Sequence, residues 1–190
     1  MSWSSNEETL LTKFISMKLE CRQATIEDLP DIVRMLADDF LGKQRERLED
    51  PLPESYLKAF RELDADPNNE LIVAVMSVPP TEAGVTLSEP KTKKQKPKTE
   101  SIVGTLQLTV TPSLSYQGSK RSSVESVRVD DKFRGQGIGR QMMLWAIERA
   151  KKKGCVSMHL TSHGDRKDAH RFYENLGFAA SHVGMKLVLK

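Results

Sequence analysis

The chain has few cysteines and lacks any long run of apolar residues. Its two cysteines, Cys21 and Cys155, form no Cys-x-x-Cys pair, and no His-x-x-x-His pair falls on one predicted helix. Disulfide frameworks and metal sites need such spacings, so we expect neither. No apolar run reaches the length of a membrane span, about 18 residues. The first residues do not follow the pattern of a secretory signal. These absences predict a cytoplasmic protein with no metal cofactor and no membrane partner.

The chain also lacks an excess of one charge over most of its length. The formal net charge is +3, but the lysines of the KTKKQKPK stretch at 91–98 carry +5, which leaves −2 for the rest. A basic face on the folded body is therefore not expected, and we predict no nucleic-acid partner. The 91–98 stretch itself is typical of a solvated loop, with a nuclear-import signal as the alternative interpretation.

The length of 190 residues fits one domain, since domains usually contain about 100–200 residues. We predict an N-terminal extension over 1–16 and a single domain over 17–190. Residues 79–101 are rich in proline and lysine and almost free of bulky apolar side chains, so they cannot build a core. They separate strand-like runs at 71–78 and 102–110, which predicts two neighbouring strands joined by a disordered insert.

Hydrophobic periodicity predicts alternating strands and helices along the rest of the chain. Thr25 and Asp28 have the spacing of a capping box at a helix start. The predicted elements are strands over 17–25, 124–130 and 156–160, helices over 29–37, 53–65, 138–153 and 166–176, and last strands within 178–189. Because antiparallel neighbours need no helix between them, the order of the second half favours α/β layers with at least one parallel pair.

Three closely spaced glycines, Gly135, Gly137 and Gly139, lie where a predicted strand passes into a predicted helix. Without side chains in the way, backbone N–H groups can converge there on a phosphate. No Lys-Ser or Lys-Thr follows them, as a mononucleotide P-loop requires, and their spacing differs from a dinucleotide fingerprint. Both nucleotide interpretations fit poorly, and a purely structural turn is the remaining alternative.

Two motifs resemble the signatures of the GNAT N-acetyltransferase superfamily. Residues 134–139, Arg-Gly-Gln-Gly-Ile-Gly, resemble its pyrophosphate loop, and Ala169-x-x-Phe172-Tyr173-Glu174-x-x-Gly177-Phe178 resembles its second signature. The resemblance implies an α/β fold with a central mixed, mostly antiparallel sheet flanked by helices and a parallel pair of strands splayed at the cofactor site. Residues 168–182 are also similar to the aminoalkylphosphonate acetyltransferase-like branch, which implies a small-molecule amine substrate.

The resemblance further implies acetyl-CoA as the co-substrate. The residues that it places against acetyl-CoA are Val127, Arg128, Val129, Arg134, Gly135, Gln136, Gly137, Ile138, Gly139, Arg140 and Arg166, with Lys132 as a further cation near the phosphates. Main-chain N–H groups of Val127 to Val129 would stabilise the oxyanion where the strands splay. Many relatives have Asn at the position of Arg166, so its guanidinium is expected to meet a cofactor phosphate instead.

The same resemblance implies direct attack of an amine on the thioester, which needs proton transfers. Tyr173 matches the family tyrosine that acts as the acid toward the departing thiolate; a core tyrosine is the alternative. Glu125 is the expected base, because strand alternation puts it on the face of Val127 and Val129, where apolar neighbours would tune a carboxylate. A strand-edge glutamate is the alternative for Glu125, and His163 is the alternative base.

The acceptor site is less defined by the sequence. Asp39, next to Asp38, and Tyr116 are candidate contacts for a cationic amine. Acetylation of a small primary amine is the leading hypothesis, and a protein or peptide acetyltransferase and a non-catalytic acyl-CoA sensor are the alternatives. The resemblance also implies a homodimer, since many relatives pair.

Overall fold

The structure, a computed structural model, describes residues 19–38, 42–77 and 100–189. Its strands are β1 (Leu19–Gln23), β2 (Asn69–Ser77), β3 (Glu100–Pro112), β4 (Lys120–Val129) and β5 (Cys155–His159). Its helices are α1 (Leu29–Ala37), α2 (Glu54–Ala65), α3 (Ile138–Lys152) and α4 (Lys167–Glu174). None of the helices in these ranges is long and apolar enough to cross a membrane.

One five-stranded sheet carries the fold, in the order β1-β2-β3-β4-β5. Strands β1 to β4 are antiparallel neighbours, whereas β4 pairs with β5 in parallel. A parallel pair needs a long crossover connection, which α3 supplies here. The predicted mixed, mostly antiparallel sheet is confirmed, as is the pairing of the two strands on either side of the 79–101 insert.

Helices cover both faces of the sheet because successive strand residues point to opposite sides. On β2, Ile72, Ala74 and Met76 belong to one buried cluster, whereas Val73 and Val75 belong to a second one. The first cluster includes side chains of α3 and is flanked by those of α4; the second includes side chains of α1 and α2. We call these sides of the sheet the α3 face and the α1 face.

A buried carboxylate fixes the entry into α1, as the capping-box spacing predicts. Asp28 accepts the Thr25 backbone N–H at 2.8 Å and a bond from Arg22 Nη1 at 2.6 Å. Burial raises the pKa of the Asp28 carboxyl, but the bonds from Arg22 and Thr25 outweigh it and hold the pKa below its ordinary value. Asp28 therefore stays charged at neutral pH and ties the end of β1 to the helix start.

Two predictions about the ends of segments are wrong. Strand β3 begins at Glu100, so the end of the predicted 79–101 insert is a strand, because Glu100 and Ser101 pair with the end of β2. Residues 178–189, predicted to supply the last strands, form neither helix nor strand, because no strand of the described chain pairs with them. The rest of the insert, with its 91–98 lysine stretch, and the 1–16 extension lie outside the described residues.

Gly104 lies where α3 packs closely against β3. A Cβ atom at this position would stand 2.5 Å from the sulfur of Met142 and 3.0 Å from the backbone oxygen of Arg128. We expect Gly104→Ala to lower the free energy of unfolding by about 1–3 kcal/mol, the usual cost of overpacking a core. Urea unfolding followed by circular dichroism measures the change.

Gly139→Ala is the matched control, at a second contact between α3 and the sheet. A Cβ at Gly139 would lie 3.5 Å from Val129 Cγ2 and 3.6 Å from Phe172 Cζ, which are ordinary contact distances. Its effect on the free energy of unfolding should stay within about 0.5 kcal/mol. Equal losses for the two variants would contradict the argument that the approach of Met142 makes Gly104 special.

Candidate active site

A bulge in β4 shapes the sheet at the candidate site. The β3–β4 register slips between Thr105 and Gln107, so that Ser126 and Val127 of β4 together oppose one residue of β3. Ser126 has φ 53°, a left-handed conformation that a residue with a side chain rarely adopts. A bulge of this kind bends the strand and re-aims the side chains that follow it.

Strands β4 and β5 pair over a short stretch that ends before the bulge. Their pairing ends at Ser123↔His159, whereas β4 stays paired with β3 as far as Gly104↔Val129. Among the described residues, no strand pairs with the last part of β4 on its β5 side. Backbone groups on that side are outside any ladder and can bond a ligand. The predicted parallel pair is present, and β4 continues past it without a partner on this side, where the family resemblance implies the splay; we call this part of β4 its splayed end.

The glycine-rich turn lies between this end of β4 and the start of α3. Gly135 has φ 77° and Gly137 has φ 78°, both in the left-handed region that favours glycine. A Cβ at either position would meet no atom within 4 Å, so open space lies over the backbone of the turn. The first N–H groups of α3 have no acceptor within the helix. The turn is therefore an open cradle of donors at the positive end of a helix dipole, which fits a diphosphate.

Two ion pairs tie this turn to α1. Arg34 Nη2 lies 2.6 Å from the buried Asp130, and Arg134 Nη2 lies 3.2 Å from Asp38. Burial raises the pKa of Asp130, but the bonds from Arg34 and from the Lys132 backbone N–H outweigh it and lower the pKa. Asp130 is therefore charged at neutral pH and anchors the beginning of the turn.

The other residues predicted to contact the cofactor divide into packed and exposed positions. Val127 and Val129 pack against the core of the α3 face, and Ile138 is buried within it. Gln136 and Arg140 are exposed beside the glycines. The apolar members thus hold the backbone of the turn in place, while the polar members face solvent next to the cradle.

Tyr173 lies half-buried on α4, against the core of the α3 face. Its ring meets Phe172 edge-on, with centroids 5.1 Å apart, and Phe178 in the same manner at 5.9 Å. Burial raises the pKa of the Tyr173 phenol, and the positive charges of Arg166 and Arg128 lower it only in part. The phenol therefore stays protonated at neutral pH, with charged groups from β4 and from the residue that precedes α4 nearby.

Glu125 does not lie on the face that strand alternation predicts. Val124, Val127 and Val129 all contact the cluster of the α3 face, and the bulge at Ser126 explains their uneven spacing. Glu125 follows Val124 directly, so it points to the α1 face, where it is exposed. The prediction that it shares a face with Val127 and Val129 is wrong, because the bulge inserts one residue between them.

The remaining candidate residues are dispersed. His163 is exposed in the loop after β5, where its Nδ1 lies 3.3 Å from the Asp165 backbone nitrogen and 3.4 Å from Asp165 Oδ2. Tyr116 is exposed in the turn before β4, and the length of β4, about 30 Å, separates it from the glycine turn. Tyr116 thus lies outside the site of its own chain. Asp39 lies outside the described residues.

Charged partners that lie far apart in the sequence were not predicted. Arg34 and Asp130 are 96 positions apart, and neither belongs to either motif. The proximity of Arg128 and Arg166 to the Tyr173 phenol also depends on the path of β4 and α4 in space. In the parts of the chain that the structure describes, no cluster of His, Cys, Asp or Glu could hold a metal ion.

The family model and two curated proteins resemble this chain. Residues 34–178 match the profile of the Acetyltransferase (GNAT) family. The glucosamine 6-phosphate N-acetyltransferase of Trypanosoma brucei brucei is 29% identical over 143 residues, which cover 70% of this chain and 95% of that protein. The aminoalkylphosphonate N-acetyltransferase of Salmonella typhimurium is 44% identical over 50 residues, which cover 26% of this chain and 32% of that protein.

A solved structure is similar over nearly the whole chain. The crystal structure described as a transcriptional regulator from Bacillus halodurans C-125 superposes with a TM-score of 0.75 and 48% sequence identity. The match covers 90% of this chain and 100% of that one. The fold therefore recurs in a protein that shares about half of its residues with this chain.

Proposed function

The chain belongs to the Acetyltransferase (GNAT) family, whose members use acetyl-CoA as co-substrate, and from this premise we propose that it acetylates the primary amine of a small molecule. The observation that carries the proposal is one juxtaposition. An open cradle of backbone donors follows the splayed end of β4 directly, and Arg128 of that end is close enough to the protonated, half-buried Tyr173 phenol to affect its pKa. Diphosphate binding and proton donation need these two features.

Two relatives support a small-molecule acceptor. The names of the Trypanosoma and Salmonella enzymes give their acceptors as glucosamine 6-phosphate and an aminoalkylphosphonate. Both acceptors are small compounds with an amino group and a phosphorus oxyanion. An acceptor of this class is the first choice for this chain, and a lysine side chain in a protein is the competing one.

The described residues fit the co-substrate. The N–H groups that follow Gly135 and Gly137 can bond a diphosphate, and the exposed Arg134 and Arg140 add positive charge beside it. Bound acetyl-CoA would supply an acetyl thioester and depart as the free thiol. The open backbone on the β5 side of β4 would hold the rest of the molecule in the splay.

Tyr173 would hold the proton that the departing sulfur takes up. A general acid must be protonated before the reaction, and the burial that raises the pKa of this phenol ensures it. The positive charges of Arg128 and Arg166 favour the phenolate that forms when the proton leaves. The two effects together give a phenol that is protonated at rest and can still release its proton.

Glu125 is the proposed base for the incoming ammonium group. It lies on the α1 face of the same strand segment, on the side of the sheet where α1 ends beside the glycine turn. Its exposure allows it to take the proton directly or through water. The amine would then approach the thioester from the α1 face, while Tyr173 would donate its proton to the sulfur from the α3 face.

Thiol release from acetyl-CoA with a panel of amines tests the proposal. The panel contains glucosamine 6-phosphate, an aminoalkylphosphonate, the same amines without phosphorus, and a lysine-containing peptide. We expect kcat/KM for one small amine to exceed that for the peptide by at least about 100-fold, as a site that binds its acceptor by polar contacts provides. Turnover of the peptide alone would contradict a small-molecule acceptor. Tight binding of coenzyme A without turnover of any amine would favour the acyl-CoA sensor instead.

A further inference from the structure

One half of the α1 face of the sheet has no apolar cover. The buried cluster of that face contains side chains of β2, β3, α1 and α2 and, among the described residues, none of β4 or β5. Over 121–125 and 157–159, the residues of β4 and β5 that point away from the α3 face are polar, and each is exposed or half-buried. An open, polar part of the sheet therefore lies beside the proposed base.

Four polar side chains of this area lie next to one another. Arg121 of β4 is paired with Ser157 of β5. Two positions further along the strands, Ser123 is paired with His159. Residues opposite each other share a face, and Met158 packs against the α3 face, so all four point to the α1 face. Ser157 Oγ lies 3.0 Å from His159 Nε2, so these two side chains are in contact. We call the four residues the donor cluster.

The chemistry of the donor cluster suits an oxyanion. Arg121 offers guanidinium N–H groups, the two serines offer hydroxyl groups, and the His159 ring offers at least one N–H. In the part of the chain that the structure describes, neither Arg121 nor His159 forms an ion pair with a carboxylate. Hydrogen bonds from a guanidinium to a phosphorus oxyanion are among the stronger ones in proteins. The cluster can therefore bind such a group from the open side of the sheet.

Glu125 continues the same row of β4, two residues and about 7 Å beyond Ser123. Along the α1 face, β4 thus presents a cation, a hydroxyl group and a carboxylate in order. An acceptor with an oxyanion at one end and an ammonium group at the other has the complementary order of charges. We infer that the donor cluster binds the phosphorus oxyanion of the acceptor while Glu125 takes the proton of its ammonium group. This inference rests on the proposed function, because it assigns the other end of the same acceptor.

Relative kcat/KM values for three amines test the donor cluster. The amines are an aminoalkylphosphonate, the amino carboxylate of the same length and the plain alkylamine. We expect the unaltered chain to favour the aminoalkylphosphonate over the alkylamine by about 100-fold. His159→Gln and Arg121→Gln should each lower that ratio by about 10-fold, as the loss of one hydrogen bond to a charged group does. Lys120→Gln is the matched control, because it removes one positive charge from the neighbouring residue, which points to the other side of the sheet. It should change the ratio by less than about 2-fold.

Calorimetric titration with methylphosphonate separates this inference from the proposed function. The full chain is saturated with coenzyme A, so that the glycine turn is occupied, and no turnover is needed. We expect the Kd of methylphosphonate to rise by about 10-fold in His159→Gln and Arg121→Gln and to stay unchanged in Lys120→Gln. Such binding without turnover of any amine would support the donor cluster and contradict the proposed function.

Three results would overturn the donor cluster while leaving the proposed function intact. They are amine turnover without a preference for phosphorus, a preference for the amino carboxylate, and equal effects of Arg121→Gln and Lys120→Gln. The exposed position of His159 makes its substitution safe for the core. If Arg121→Gln does not fold, His159→Gln against Lys120→Gln still decides the question.

Discussion

Tyr173→Phe should lower kcat by about 10- to 1000-fold, the contribution of one well-placed acid. The phenylalanine keeps the edge-on contacts with Phe172 and Phe178 and removes only the hydroxyl. Binding of coenzyme A and the melting temperature should therefore change little, so the loss appears in kcat and not in KM for acetyl-CoA. Steady-state thiol release, with calorimetry for coenzyme A, separates these quantities.

Tyr116→Phe removes the same atom at the other end of β4 and is the matched control. Tyr116 is 77% exposed, and nothing in the geometry of its own chain connects it with the splayed end. We expect kcat and KM to stay within about 2-fold of the unaltered enzyme, as for most exposed positions. An unchanged kcat in Tyr173→Phe would remove the phenol from the mechanism, and a loss in Tyr116→Phe would restore the sequence-based prediction that this residue contacts the acceptor.

The parts of the fold that depend on local pattern were predictable. Strands β2 and β3 are apolar runs because the sheet is buried on both faces there, and the periodicity of α3 reflects a helix with one side against the sheet. The glycines at 135 and 137 were recognisable because their left-handed backbone excludes most other residues. In each case the property that marks the element lies within the element itself.

The parts that depend on distant partners were not predictable. Ser126 is an ordinary residue, and its left-handed conformation follows from the register that Thr105 and Gln107 impose from β3. Strand alternation consequently predicts the wrong face for Glu125, because it assumes an unbroken strand and takes no account of a bulge. Residues 183–189 show the converse case, because their alternating apolar side chains indicate a strand while no strand of the described chain pairs with them.

Gly137→Ala should weaken the binding of coenzyme A by about 10- to 100-fold. At φ 78° alanine is strained by about 1–2 kcal/mol, and the turn can relieve that strain only by rotating the peptide groups that flank the residue. Those groups begin the row of donors that enters α3, so their rotation removes hydrogen bonds from a diphosphate. Isothermal titration with coenzyme A measures the affinity without requiring a known acceptor.

Gly118→Ala separates the strain from the site. Gly118 has φ 77°, and a Cβ there would also meet no atom within 4 Å, but it lies in the turn before β4, remote from the splayed end. Both substitutions carry the same backbone cost, so the two variants should lose similar stability, about 1–2 kcal/mol each. Only Gly137→Ala should lose affinity, because only its peptide groups face the ligand. Equal affinities in the two variants would mean that the diphosphate does not bind at the glycine turn, and the placement of Tyr173 beside the thioester would lose its basis.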